Sequence, residues 1–157
     1  PTLYERVGGT KMVADPANSG QMIQAGRLTL RSVTDSALLV IAADLQMAKF
    51  FPVLLKEVFQ DGNTTGFAAL SKNFTDFLCL ATQQPNAKYM GLDMKTAHDP
   101  AKNSRMGEKA ANADFDRFVV DVGTALAKNG VTVDNNKALV TDLVALLETT
   151  RKDIVQK

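Results

Sequence analysis

Residues 89–98 read Tyr-Met-Gly-Leu-Asp-Met-Lys-Thr-Ala-His, and this stretch ends in the only histidine of the 157-residue chain. The spacing of Met94 and His98 places both side chains on one face of a helix. Asp93 is a candidate N-cap, and Pro100 disfavours helical geometry in the residue before it. We therefore predict a short helix that begins after Asp93 and stops before Pro100.

His98 is the first candidate for a functional residue, because imidazole is the commonest metal ligand among side chains. One ring nitrogen would bind the metal, and the other would donate to a backbone carbonyl within the same helix, with Met94 as the expected acceptor. A lone histidine near a helix end is, however, more often a polar residue that interacts with the helix dipole. From the residue pattern alone, both interpretations stay open.

Apolar residues elsewhere recur at helical spacing, and strand alternation of any length is absent. The predicted helices span residues 36–48, 51–60, 64–82, 115–129 and from about 135 to the end. Pro52 suits the first turn of the second of these helices, and Asn129-Gly130 is a typical C-terminal cap. We predict an all-α fold in one domain, 1–157. In residues 1–33 the glycines and Asp15-Pro16 interrupt any regular pattern, which predicts an irregular N-terminal extension with short helices.

Composition narrows the classes of function. The formal net charge is +1, from 18 basic and 17 acidic residues, so a nucleic-acid partner is not expected. The longest nearly uninterrupted apolar run, 37–43, is far shorter than the ~20 residues that a membrane span requires. The first six residues lack the basic start and apolar stretch of a secretion signal, and the single cysteine, Cys79, agrees with a reducing compartment. We expect a cytoplasmic protein without a membrane partner.

Four stretches resemble the truncated haemoglobin family, group I in particular. Leu3-Tyr4-Glu5-Arg6-Val7-Gly8-Gly9 is similar to the family's N-terminal signature, and Phe50-Phe51 resembles its paired phenylalanines at the haem edge. Residues 89–98 resemble the segment that carries its proximal histidine, and Arg151-Lys152-Asp153-Ile154-Val155 resembles the end of its C-terminal helix. The resemblance implies a globin-like sandwich of two helices over two, with haem b held between the helix of residues 67–81 and the short helix of His98.

The same resemblance implies a set of haem-binding residues. His98 would be the iron ligand and Met94 a contact of the porphyrin face, while Lys95 would pair with a haem propionate. The full predicted set is Phe50, Phe51, Phe67, Leu70, Ser71, Phe74, Met90, Met94, Lys95, His98, Phe118 and Val122.

The sequence departs from the family pattern on the side of the haem that would face a gas ligand. The family usually has a tyrosine on its second helix, whereas Ala37 or Ser36 falls near that position here. On the facing helix Ser71 is the only polar residue expected to face the iron. Gln83-Gln84 also stands where the family has a second glycine pair. With so few hydrogen-bond donors, we expect oxygen to be held loosely.

The resemblance implies a haem protein that binds a diatomic gas, namely O2, NO or CO, and that works with a reductase if the iron changes oxidation state. Transport, nitric oxide dioxygenation and gas sensing all stay open, as does a weak peroxidase activity. Lys72, Met47 or a loop lysine is a candidate for an internal sixth iron ligand. The alternative function is that of a globin-fold binding or regulatory module that has lost its haem chemistry. The sequence predicts no oligomeric state.

Overall fold

The computed structural model describes residues 1–157, most of which are helical. The helices in chain order are α1 (Leu3–Arg6), α2 (Ala25–Ala43), α3 (Leu45–Ala48), α4 (Pro52–Phe59), α5 (Thr65–Ala81), α6 (Met94–Ala97), α7 (Asn112–Lys128), α8 (Val133–Glu148) and α9 (Arg151–Ile154). A short antiparallel hairpin, β1 (Met12–Ala14) with β2 (Met22–Gln24), precedes α2. The predicted all-α class is therefore confirmed. None of the helices combines the length and apolar composition that crossing a membrane requires.

The main core lies where the four long helices meet. Helix α2 packs against both α5 and α7, and α7 packs against α8. The buried side chains of this core come from all four helices and from α1: Tyr4, Leu30, Val33, Ala37, Leu78, Cys79, Val122, Ala125, Leu126, Leu139, Leu143 and Leu147. A smaller cluster of Ile41, Met47, Phe50 and Ala110 lies apart from it. Apolar burial in these two clusters is the main source of stability.

The N-terminal region is more regular than its sequence predicts. Thr2 and Glu5 form a capping box that starts α1. Between the hairpin strands, the carboxylate of Asp15 accepts hydrogen bonds from Ala17 N at 2.9 Å and from Arg31 Nη2 at 2.7 Å. The second of these bonds ties the hairpin to α2.

The predicted start of α2 is wrong. The helix begins at Ala25 rather than at residue 36, and it ends at Ala43, where Asp44 caps the separate helix α3. The prediction treated Gly26 as a helix breaker, but a glycine is required there because two chain segments meet. A Cβ atom on Gly26 would lie 2.8 Å from ring atoms of Tyr4. Residues 25–33 are therefore helical and not part of an irregular extension.

The helices after Phe50 follow the sequence pattern closely. Helices α4 and α5 agree with the predicted spans to within about two residues at each end, which is the usual uncertainty of helix boundaries. Pro52 occupies the first turn of α4, as predicted. The predicted C-terminal helix is instead divided into α8 and α9, with a break at Thr149 and Thr150.

Candidate functional site

A large cavity of about 620 Å³ lies between α2, α5, α6 and α7. Most of the residues that line it are apolar, and its volume falls within the range of small-molecule and cofactor sites. Ala37, Leu38 and Ile41 of α2 form one part of its wall, and Phe115 and Phe118 of α7 form another. The cavity thus occupies the space between the long helices that the main core does not fill.

His98 lies on the cavity wall at the C-terminal end of α6. The Asp93 side chain accepts from Thr96 N at 3.1 Å and starts this helix, so the short helix predicted from residues 89–98 is confirmed. His98 Nδ1 lies 2.7 Å from Met94 O, which is the predicted bond. Because a carbonyl oxygen only accepts, Nδ1 carries the hydrogen and Nε2 keeps its lone pair.

The imidazole of His98 is neutral near pH 7. Burial lowers the pKa of His98 below its ordinary value, and the hydrogen bond to Met94 opposes this shift only in part. Nε2 makes no hydrogen bond within the chain, so it is free to act as a ligand. A neutral imidazole fixed through Nδ1 has the tautomer that binds a metal through Nε2.

Helix α5 contributes two aromatic side chains to the cavity wall. Leu70, Phe74 and Phe77 line the cavity at helical spacing, and Asn73 lines it beside them. The rings of Phe74 and Phe118 meet edge to face, with centroids 6.3 Å apart. This contact joins α5 to α7 across the cavity.

Phe50 and Phe51 lie where α3 passes into α4, and both line the cavity. Phe50 is 3% exposed, and its carbonyl oxygen accepts from Gly107 N at 3.1 Å. A Cβ atom on Gly107 would lie 2.9 Å from Pro52 Cδ and even nearer to a backbone oxygen of the same corner. The glycine therefore lets the segment after α6 lie directly against the corner that holds the two phenylalanines.

An ion pair lies on the cavity wall between Glu57 of α4 and Arg105 of the segment after α6. The Arg105 guanidinium holds the pKa of the Glu57 carboxyl below its usual range. A Cβ atom on Gly66 would lie 2.7 Å from an end atom of each side chain. Gly66 thus leaves room for the pair beside α5.

Seven of the residues predicted to bind the cofactor line this cavity: Phe50, Phe51, Leu70, Phe74, Met94, His98 and Phe118. The other five lie elsewhere. Met90 is 84% exposed, Lys95 is exposed on α6, and Val122 is buried in the main core. Phe67 lines a separate apolar groove between α2, α4 and α5, and Ser71 donates a hydrogen bond to Asp35.

The misplaced residues of α5 have a simple cause. The prediction counted back from Phe74 and expected Phe67, Leu70 and Ser71 to face the iron, but α5 is rotated so that a partly different stripe faces the cavity. That stripe contains Gly66, Ala69, Leu70, Asn73, Phe74 and Phe77. Asn73 was missed although its spacing from Leu70 and Phe77 is helical. Arg105, Met106 and Ala110 were also missed, because no sequence pattern places a polar loop against a distant helix.

The residues that line the cavity suit haem better than a bare metal ion. No group of three or more histidine, cysteine or acidic side chains is placed to hold a metal ion. A haem needs only one axial imidazole and a large apolar cavity, because the porphyrin supplies the remaining iron ligands. His98 and the aromatic wall of α5 and α7 meet this requirement.

No protein-family model and no curated protein sequence matches the chain. Solved structures do match it, among them three for which the match covers 100% of both chains. Two are single-residue mutants of truncated haemoglobin from Tetrahymena pyriformis in the Fe(III) form, each with 23% identity and a TM-score of 0.69. The third is the 2/2 haemoglobin from Synechococcus sp. PCC 7002 in the cyanomet state with covalently attached haem, with 18% identity and a TM-score of 0.66. The chain therefore has the two-over-two globin fold of the truncated haemoglobins, as the resemblance of its sequence predicts.

Proposed function

We propose that this protein binds one haem in the cavity, with His98 as its iron ligand, and uses it to hold a diatomic gas. The observation that carries the proposal is the state of His98. Its imidazole is neutral, its ring plane is fixed by the bond to Met94 O at 2.7 Å, and Nε2 is free on the wall of an apolar cavity of about 620 Å³. Haem, when bound, supplies an iron that takes a small gas at its remaining coordination position.

The surrounding side chains would hold and orient the porphyrin. Phe50, Phe51 and Phe74 would pack against its faces and edge, and Met94 would contact the face nearest His98. These apolar groups exclude water from the side chain of His98, which keeps the imidazole neutral. An apolar pocket of this kind favours an uncharged diatomic molecule over an anion.

We propose haem b, held without a covalent link to the protein. The only cysteine, Cys79, is buried in the main core and does not line the cavity, so no thiol is available for attachment. Burial raises the pKa of Cys79 to about 11, which leaves the thiol protonated and unreactive. A lone reduced thiol also agrees with a cytoplasmic protein. NO, O2 and CO all suit such a site, and a reductase would be its partner where the iron changes oxidation state.

Haem titration of the purified apoprotein tests the proposal. We expect the wild type to form a Soret band that saturates at one haem per chain. The His98→Ala variant should bind haem at least about ten-fold more weakly, a loss of about 1.4 kcal/mol, because the axial bond is absent. Lys102→Ala is the matched control, because Lys102 is exposed in the segment just after His98, does not line the cavity and is not a predicted haem contact.

Two further measurements separate loss of ligation from loss of fold. Circular dichroism should show unchanged helix content in His98→Ala, and free imidazole should restore the Soret band of a His98→Gly variant. Carbon monoxide added to the reduced wild type should then shift the band. The proposal is wrong if His98→Ala takes up haem with wild-type affinity and spectrum, or if the wild type takes up none.

A further inference from the structure

The surface around α6 carries an excess of positive charge. Residues 88–110 and 151–157 contain eight basic and four acidic residues, a net charge of +4, while the rest of the chain, with ten basic and thirteen acidic residues, has a net charge of −3. The lysines that form ion pairs, Lys49, Lys56 and Lys72, all lie between α3 and α5. Six lysines of the two segments are exposed and form no ion pair: Lys88, Lys95, Lys102, Lys109, Lys152 and Lys157.

The two segments form one surface. Helix α6 packs against α9. Gln156 Nε2 donates to Lys95 O at 2.9 Å, and Gln156 N donates to Ala110 O at 3.0 Å. Residues 151–157 therefore lie against both α6 and the end of the segment 88–110. We call the outer side of these two segments the lysine face.

The inner side of the same chain segment is the cavity wall that carries His98. Tyr89, Leu92 and His98 all line the cavity. The ring of Tyr89 packs edge to face against Phe77, with centroids 5.8 Å apart. Leu92 is nevertheless 49% exposed, and Met90 beside it is 84% exposed. At Leu92 the wall between the cavity and the lysine face is therefore a single side chain thick.

We propose that the lysine face docks an acidic electron-donor protein that reduces the iron of the bound haem. The proposal rests on the proposed function. One electron leaves the donor and converts ferric iron to ferrous iron, and no atom or proton is transferred. Exposed lysines attract an acidic partner, and Met90 and Leu92, which lie between Lys88 and Lys95, offer the apolar contact that protein interfaces bury. The thin wall at Leu92 keeps the path from the donor to the iron short.

The charge distribution favours a protein partner over a nucleic acid. Outside the two segments the chain has a net charge of −3, so a nucleic acid that extended beyond the lysine face would be repelled. The only aromatic residue of the two segments is Tyr89, whose ring packs against Phe77, so the face offers no exposed ring on which bases could stack. A compact acidic protein meets neither obstacle.

The test uses a plant-type [2Fe–2S] ferredoxin, an acidic one-electron carrier, as the probe. Calorimetry with the oxidised ferredoxin should show binding to the haem-loaded wild type that weakens as salt is added, and backbone amide shifts should be largest in residues 88–110 and 151–157. Lys88→Glu combined with Lys102→Glu should raise the Kd at least about ten-fold and slow haem reduction by reduced ferredoxin by a similar factor. Neither lysine lines the cavity, so haem reduction by dithionite should stay within about two-fold of the wild-type rate.

Lys11→Glu combined with Lys137→Glu is the matched control, because both lysines are exposed, form no ion pair and lie outside the lysine face. This control has the same net charge as the first double variant and should change the Kd by less than about two-fold.

Haem uptake is measured first for every variant, which separates this proposal from the proposed function. A wild type that takes up no haem would overturn the proposed function, and the electron-donor role with it. Normal haem uptake without ferredoxin binding, or with equal weakening in the two double variants, would overturn the lysine face alone. Tighter binding of phosphatidylserine vesicles or of a short DNA duplex than of ferredoxin would assign the face to a membrane or a nucleic acid instead, and would also overturn the proposal.

Discussion

Asp121 on α7 is a buried carboxyl group with an incomplete set of partners. Its side chain is 2% exposed, and its Oδ2 atom has no hydrogen-bond partner. The charged groups beside it are Arg117, whose Nε lies 3.4 Å from Asp121 Oδ1, and Asp44, which takes the shorter bond to that Nε at 2.6 Å. Burial, followed by the hydrogen bond and the charge of Asp44, raises the pKa of Asp121 to about 6.

This pKa makes the stability of the fold depend on pH. Because the folded pKa lies above the ordinary value of 3.8, the folded chain holds the proton more tightly than the unfolded chain. The resulting stabilisation is complete below the unfolded pKa and is lost as the pH rises through about 6. Asp121→Asn, whose amide can donate to Asp44 at any pH, should therefore be more stable than the wild type by about 1–3 kcal/mol near pH 8 and similar to it near pH 4.5.

Urea unfolding at the two pH values measures this difference. Asp61→Asn is the control, because Asp61 is an exposed carboxylate that pairs only with exposed Lys56 and should change stability by less than about 1 kcal/mol. If Asp121→Asn loses stability near pH 8, the pairing of Arg117 with Asp121 outweighs the cost of burying the carboxylate.

Helix α2 shows how a tertiary contact determines where an element begins. Gly26 lies in its first turn, and Gly26 N donates to Gly9 O at 2.9 Å while the ring of Tyr4 covers the Cα atom. The adjacent Gly8 has a φ of +134°, a conformation that side chains other than glycine rarely adopt. The turn after α1 and the start of α2 therefore depend on each other.

A pair of glycine-to-alanine changes tests this dependence. Alanine at Gly26 would clash with Tyr4, so Gly26→Ala should lower the free energy of unfolding by about 1–3 kcal/mol. Alanine at Gly123, inside α7, would meet no atom within 4 Å, so Gly123→Ala should raise it by about 0.5–1 kcal/mol. A urea midpoint that falls for Gly26→Ala and rises for Gly123→Ala would support the contact. Equal stabilisation by both changes would show that Gly26 is an ordinary helical glycine.

Periodicity predicted those elements whose signals are local. The capped helix before Pro100, Pro52 at the start of α4 and the apolar stripe of α7 all depend on residues within a few turns of each other, and each is present. The start of α2 was missed because it depends on Tyr4, which lies in α1 and is separated from α2 by the β1–β2 hairpin. Secondary structure that depends on such distant contacts leaves no periodic signal.

The candidate site was predictable only in part, for the same reason. His98 and its bond to Met94 follow from one turn of helix, and both were predicted. The stripe of α5 that faces the cavity depends on how that helix is rotated against α2 and α7, so Ser71 was chosen where Asn73 lies. Arg105 reaches the cavity through a loop whose course is determined by Glu57, Gly66 and Gly107.

At the scale of the whole molecule, the smaller of the two apolar clusters lies on the wall of the cavity. The larger cluster joins the four long helices, while the smaller one, with Ile41, Met47 and Phe50, also lines the cavity. A molecule that fills the cavity therefore buries side chains of the smaller cluster further. Occupancy of the cavity should affect the stability of the entire fold.

Thermal unfolding with added haem measures this coupling. A ligand at about 100 times its Kd stabilises a fold by about 2.7 kcal/mol, which corresponds to a rise in Tm of about 5–10 °C for a domain of this size. We expect this rise for the wild type, and about half of it or less for His98→Ala at the same haem concentration, because the variant binds haem at least about ten-fold more weakly. An unchanged wild-type Tm would contradict haem binding in the cavity.

Because the chain has a single histidine, the imidazole of His98 is a natural NMR probe of the cavity. Since no other histidine contributes, every histidine side-chain resonance in a heteronuclear NMR spectrum belongs to His98 without assignment experiments. The chemical shifts of the two ring nitrogens distinguish the tautomer that donates to Met94 from the alternative, and they follow its protonation directly. The cavity wall can thus be monitored at one side chain, in purified protein labelled with nitrogen-15 and without any extrinsic probe.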